Sequence, residues 1–335
     1  MYQGARATMP RTGRKTVFRA RPTWRLAAAV VLLLGVAACG SSGGPGATVA
    51  ARSHDPLCNF KASAPAFYKH VIWIWFENTD EQDVVAGSNA GTYTSSLIDR
   101  CGLAVNYHNT THPSLPNYVE ATSGTVQGAA DVSDCAPSEC PQSQPSLFNQ
   151  VQSAGMQWRE YVQSQKGPCS GSPDEMYTSL ATQCKTSEVS LGEPQSGTLH
   201  NDLTSNSLPA FAFVLPDGAN DIGPPADAFL TQWVPAITSS ASYRDGSTAL
   251  LITWDEGGTD RTPGESCDDT AHADVTTYPG CQVAFIALGP AVGATRTSDY
   301  FNHYSLLRTT EEMLGITTYL GKAASAHSMR AALHL

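Results

Sequence analysis

Four apolar runs punctuate the chain: "HVIWIWFEN" (70–78), "PAFAFVLPDGAND" (209–221), "STALLITWDEGG" (247–258) and "CQVAFIALGP" (281–290). Each is continuous rather than alternating, the pattern of a strand buried on both faces. The first three end in acidic or amide residues. Between the runs, "LPNYVEATSG" (115–124), "SLFNQVQSAG" (146–155), "DAFLTQWVPAITSS" (227–240) and "HYSLLRTTEEMLGI" (303–316) space their apolar residues as helices do. Strands separated by helices predict an α/β fold: a mostly parallel central sheet with helices on both faces. Ligands in such folds bind beyond the carboxyl ends of the strands, where this chain puts its polar clusters.

The N-terminus follows different rules. Residues 1–25 carry seven basic residues and no acidic one, and "LAAAVVLLLGVAA" follows. That run is short for a bilayer span and sits where a signal peptide has its apolar core. It ends in "VAAC", which resembles a bacterial lipobox. The resemblance implies a signal peptide over 1–38 and acylation of Cys39, hence membrane attachment through lipidated Cys39. An ordinary secretory signal is the alternative. Residues 39–54 are rich in Gly and Ser and read as a flexible tether. The functional domain is expected over 55–335, in an exported chain favoured to be a monomer.

Charge and cysteine content narrow the class. Without the leader's seven basic residues, 13 of the 20 Lys and Arg remain against 30 Asp and Glu, a formal charge of −17. That excess argues against nucleic acid as a partner. Setting Cys39 aside leaves eight of nine cysteines, an even number that suits disulfides in an exported chain. Neighbours along the chain suggest Cys135–Cys140, Cys169–Cys184 and Cys267–Cys281, leaving Cys58–Cys101. The spacings lack the paired CxxC pattern of a zinc site.

The candidate chemistry lies at the strand ends: Glu77, Asn78 and Asp80 after the first, Asp217, Asn220 and Asp221 after the second, Asp255 and Glu256 after the third. One such acid commonly caps the next helix. Converging carboxylates need a cation or raised pKa values to coexist, and a hard divalent metal on oxygen ligands meets that need. Ser114 lies in "HPSLPNY", at the expected start of a helix over 116–122 with Pro116 in its first turn. Unpaired amides there favour an anion, and metal coordination activates a serine hydroxyl. Taken alone, Ser114 reads equally as an N-cap.

Together, "FEN", "HPSLPNY", "PDGAND", "WDEGG" and "HYSLLRT" resemble the bacterial phosphoesterase family, from about His70 to Ile316. That family holds secreted acid phosphatases, phosphatidylinositol-phosphate phosphatases and phospholipases C, within the alkaline-phosphatase-like superfamily. The resemblance implies that fold, with Ser114 as covalent nucleophile and Asn117 on the phosphate. It implies Glu77, Asn78, Asp217, Asp221, Asp255 and Glu256 as metal ligands, with His303 facing the phosphate. His112, two residues from Ser114, is a candidate general acid. Family members often carry further histidines after the second and third strands; here His272 is the sole candidate. A divalent metal is therefore expected, with calcium or magnesium favoured over two zinc ions.

The function expected is an exported acid phosphatase acting on small-molecule or lipid phosphomonoesters through a phosphoserine. The alternatives are a phospholipase C or other phosphodiesterase and, in another class, a non-catalytic ligand-binding lipoprotein. "GITTYLGKAAS" (315–325) fails the P-loop spacing, and no GxSxG beyond the tether supports an α/β-hydrolase nucleophile elbow.

Overall fold

A computed structural model describes residues 55–335 apart from 88–90, 166, 168, 170–172, 260–261, 265 and 268–276. The expected signal peptide, acylated Cys39, tether and His272 lie outside the described residues. Ten strands are described: β1 (His70–Phe76), β2 (Gly102–Ala104), β3 (Tyr107–His108), β4 (Trp158–Val162), β5 (Glu188–Ser190), β6 (Phe211–Leu215), β7 (Thr248–Trp254), β8 (Phe285–Leu288), β9 (Arg296–Thr297) and β10 (Phe301–Asn302). Eight form one sheet in the order β5-β4-β6-β1-β7-β8-β2-β9; β3 and β10 pair separately.

The four apolar runs became β6, β1, β7 and β8, side by side at the centre of this sheet. β1 runs parallel to β6 and β7, with Ile72 opposite both Ala212 and Leu250. β8 is antiparallel to both its neighbours, β7 and β2. A continuous apolar run records burial on two faces but not strand direction.

Side-chain alternation along β1 sets what covers each face. Trp73 and Trp75 point one way: Trp73 Nε1 donates to Thr310 Oγ1 at 3.0 Å, and Trp75 packs on Tyr118 and His303. That face carries the Ser114–Ser123 and His303–Met313 helices. Phe76 points the other way, edge-on to Phe229 of the Pro224–Thr238 helix. Helices therefore cover both faces.

Four disulfides occur among the described residues, Cys58–Cys101, Cys135–Cys140, Cys169–Cys184 and Cys267–Cys281, matching the pairing expected from neighbours along the chain. None of the described helices is long and apolar enough to cross a membrane.

Candidate active site

The carboxyl ends of β1 and β7 lie side by side, so Glu77–Asn78 and Asp255–Glu256 leave the sheet together. Asn78 takes a left-handed conformation (φ 48°), which asparagine tolerates better than most residues. Its backbone N–H donates to Asp255 Oδ1 at 3.1 Å, and its side-chain amide to Glu77 Oε2 at 2.9 Å. Asp80 serves the turn: Oδ1 accepts from Gly258 N at 2.7 Å, and Oδ2 from Thr259 Oγ1 at 2.7 Å. The glycines of "WDEGG" follow from this close approach. A Cβ on Gly257 would lie 2.5 Å from Asp80 Oδ1, and one on Gly258 would lie 2.6 Å from the Asn78 carbonyl oxygen.

Ser114 arrives from above these ends. Its helix begins at Ser114 itself, two residues before the expected start, with Pro113 at the N-cap. Pro116 still falls in the first turn, where its missing N–H is not needed. Ser114 Oγ lies 3.1 Å from Glu77 Oε2 and 3.3 Å from Glu256 Oε1, and its one hydrogen has both carboxylates as acceptors. The sequence reading did not single out Tyr118, whose hydroxyl donates to the other Glu77 oxygen, Oε1. The signal was present: Tyr118 stands four residues after Ser114, hence on the same helix face.

These groups are crowded in low dielectric. Burial pushes the Glu77 carboxyl up, opposed by the hydrogen bonds from Tyr118 and Ser114. Asp255, fully buried, is raised well above the usual carboxylate range by burial and then by Glu77 and Glu256. Asp221 rises to about 6 through burial and the nearby Glu77 charge. Neither Asp255 Oδ2 nor Asp221 Oδ1 has a hydrogen-bond partner, and both atoms are buried. Uncompensated oxygens of this kind fit a hard divalent cation. Glu77, Asp255 and Glu256 would hold it, with Ser114 Oγ and Asp221 nearby.

Several expected residues do other work. Asn117 is fully buried and does not face the cavity: Oδ1 accepts from Thr110 N (2.9 Å), Thr110 Oγ1 (2.8 Å) and Thr111 N (3.2 Å), while Nδ2 donates to the Thr111 and Pro113 carbonyls. It shapes the loop presenting Ser114 and leaves no donor for phosphate. His303 is also turned inward. Nε2 donates to the Asp255 carbonyl at 2.6 Å, Nδ1 accepts from the Tyr107 hydroxyl at 2.9 Å, and burial lowers its pKa to about 4. It is a neutral prop beneath Asp255. His112 is wholly buried, so a direct general-acid role does not fit. Nδ1 lies 2.5 Å from Glu256 Oε2, and Nε2 faces the Cys267 sulfur at 3.7 Å. His112, Cys267 and Cys281 cluster, but the two sulfurs are bonded to each other. Asp217 is held by Ser164, Ala219 and Asn220, and its charge acts on Asp221.

Glu77, Ser114, Tyr118 and Asp221 open onto a cavity of about 720 Å³. Its lining also includes Leu115, Val162, Met176 and Leu215, with the acids Asp134, Glu175 and Asp217.

The fold is that of the alkaline phosphatase superfamily. A superfamily member from Vibrio parahaemolyticus superposes with a TM-score of 0.51 at 10% identity, over 83% of this chain and 74% of that one. The sequence goes further: residues 46–317 match the model of the phosphoesterase family, and the chain belongs to that family. An acid phosphatase of Aspergillus fumigatus is 23% identical over 81% of this chain and 59% of its own length. A phosphatidylinositol-3-phosphatase of Mycobacterium tuberculosis is 22% identical over 78% of this chain and 82% of its own. The chain thus spans less than two thirds of the fungal relative's length.

Proposed function

We propose that this chain is an exported phosphoesterase that hydrolyses phosphomonoesters by way of a phosphoserine on Ser114. The observation that carries the reading is the position of Ser114 Oγ, within hydrogen-bond reach of Glu77 and Glu256 on a helix start that lines the cavity. A hydroxyl in that place has two acceptors for its proton as it attacks phosphorus in line. Tyr118 and Asn78 hold Glu77, and His112 holds Glu256, so both acceptors are fixed before substrate arrives. A divalent cation, once bound, supplies charge for the phosphoryl oxygens and lowers the pKa of the serine hydroxyl. Water then hydrolyses the phosphoserine.

The named relatives support a monoester: both are phosphatases. The open, partly apolar cavity supports a second reading, a diester whose further substituent lies along that wall. Export is supported by disulfides that pair all eight cysteines from Cys58 to Cys281, since such bonds persist in oxidising compartments. Acylation of Cys39 would hold the enzyme at the membrane surface.

The test compares a chromogenic phosphomonoester with its diester, from acidic to mildly alkaline pH, with and without chelator. Ser114→Ala is expected to lose at least about a thousandfold in kcat, as removal of a covalent nucleophile does. Rapid quenching of the wild type with labelled substrate should leave phosphate on Ser114. Full activity in Ser114→Ala would remove the nucleophile, and diester turnover alone would select the second reading.

A further inference from the structure

The charge of the cavity goes beyond what hydrolysis of a generic phosphate ester requires. Its described lining includes the acids Glu77, Asp134, Glu175, Asp217 and Asp221, and no described lining residue is Lys, Arg or His. Glu77, beside Ser114, would be matched to the phosphoryl end through a cation. Asp134 and Asp217 are held by other partners. Asp134 is exposed and accepts from Leu115 N at 2.9 Å. Asp217 accepts from the Ser164 hydroxyl, the Ala219 amide and the Asn220 side chain, which hold its carboxyl below the usual range and therefore ionised. Neither has an ion-pair partner among the described residues. Asp221, in the same lining, is 5% exposed with Oδ1 unpartnered. The lining also carries the apolar Val162, Met176, Leu215 and Ile222, beside the polar Gln163, Ser164 and Gln165.

A lobe lined in part by apolar side chains, with carboxylates that have no ion-pair partner among the described residues, selects an alcohol with a positive charge on an apolar body. We propose that the part of the cavity lined by Asp134 and Asp217 is a leaving-group subsite for cationic amino alcohols, so that the preferred substrates are monoesters of the phosphocholine and phosphoethanolamine kind. The proposal rests on the phosphoserine reading above. The Ser114 Oγ–phosphorus bond forms as the bond from phosphorus to the amino-alcohol oxygen breaks. That oxygen leaves with a proton from water, and a second water cleaves the phosphoserine to serine and inorganic phosphate. A bisphosphate or other polyanion meets the same carboxylates as a barrier. The field of such a lobe acts on encounter as well as on binding.

The experiment uses two isosteres, phosphocholine and 3,3-dimethylbutyl phosphate, which differ by a quaternary nitrogen in place of a quaternary carbon. Their kcat/KM values are compared for the oxidised full chain at low and high salt, beside a simple aryl phosphate. The expected result is a roughly three- to tenfold preference for phosphocholine at low salt, the scale of two part-screened charges, contracting as salt rises. The double variant Asp134→Asn, Asp217→Asn should bring the ratio toward one, with thermal unfolding recording that it folds. Equal kcat/KM in the wild type, with brisk turnover of all three esters, overturns the subsite and leaves the phosphatase standing. A preference that persists in the double variant overturns the assignment to these acids. Turnover of none of the three overturns the phosphatase reading and the subsite together.

Discussion

At the scale of single residues, position in the sequence and direction in space proved to be different kinds of information. Glu77, Asp255 and Glu256 were legible because a polar ending on a buried strand has few places to go. Asn117 and His303 were placed near the site by motif, yet both point away from the cavity; nothing in a sequence states which way a side chain turns. Tyr118 shows the reverse. Its hydroxyl donates to Glu77 and its ring packs on Trp75 at 5.1 Å between centroids. Tyr118→Phe keeps the ring and removes the donor. A lost hydrogen bond to a charged group, about 1.5–3 kcal/mol, predicts a fall in kcat of roughly ten- to a hundredfold. Steady-state kinetics would show it, and unchanged kcat would remove Tyr118 from any role in holding Glu77.

Glu311 offers a residue-scale test away from the site. It is fully buried, accepts from Leu320 N at 2.9 Å through Oε1, and has no partner for Oε2. Burial raises its pKa from 4.5 to about 7. The folded chain therefore holds a proton that the unfolded chain has released. The stability this contributes is complete below about pH 4.5 and is lost as pH rises through about 7. Glu311→Gln keeps the acceptor and cannot ionise. Chemical denaturation should find the variant more stable than wild type by on the order of 2–3 kcal/mol near pH 8, and equal to it near pH 4.5. A variant that loses stability at both pH values would contradict this.

At the scale of elements, the long apolar runs were legible and the short or polar ones were not. β4 was missed because "WREYV" sets Arg159 and Glu160 inside a strand of the main sheet. β2, β5 and β9 are two or three residues long, too short to carry a period. The turn after β7 is the element on which the site depends. A methyl group on Gly258 meets the Asn78 carbonyl oxygen, and backbone cannot yield as a flexible side chain does. The accommodating shift moves Asn78 and, through it, Glu77. Gly258→Ala should thus cost about a hundredfold in kcat, the scale of an ångström of misplacement, while the melting temperature falls only a few degrees. Equal loss of folded protein and activity would mean that the turn is structural alone. The Cys58–Cys101 bridge, closing 43 residues, is worth about 4 kcal/mol by chain entropy. Replacing both cysteines by serine should lower stability by that order in urea titrations, with kcat retained.

For the whole molecule, the arrangement sets electrostatics against packing. The sheet gathers Glu77, Asp255 and Asp221 where burial and mutual repulsion disfavour their charged forms. Apolar strands on both sides, with Trp73, Trp75 and Phe76 almost fully buried, hold those ends together regardless. The folded state therefore carries a local cost that a divalent cation would remove and that the unfolded chain does not share. Such a ligand stabilises by RT ln(1 + [L]/Kd), about 2.7 kcal/mol at a hundred times Kd. Titrating the chelated protein with magnesium, calcium, manganese and zinc should raise its melting temperature with at least one of them. Asp255→Asn should abolish that rise while itself melting at or above the metal-free wild type, because it removes one of the opposed charges. This readout needs no turnover, so it tests the cation site apart from the chemistry. An unchanged melting point with every metal would mean that these carboxylates coexist by sharing protons, and the activation of Ser114 would then rest on Glu77 and Glu256 alone.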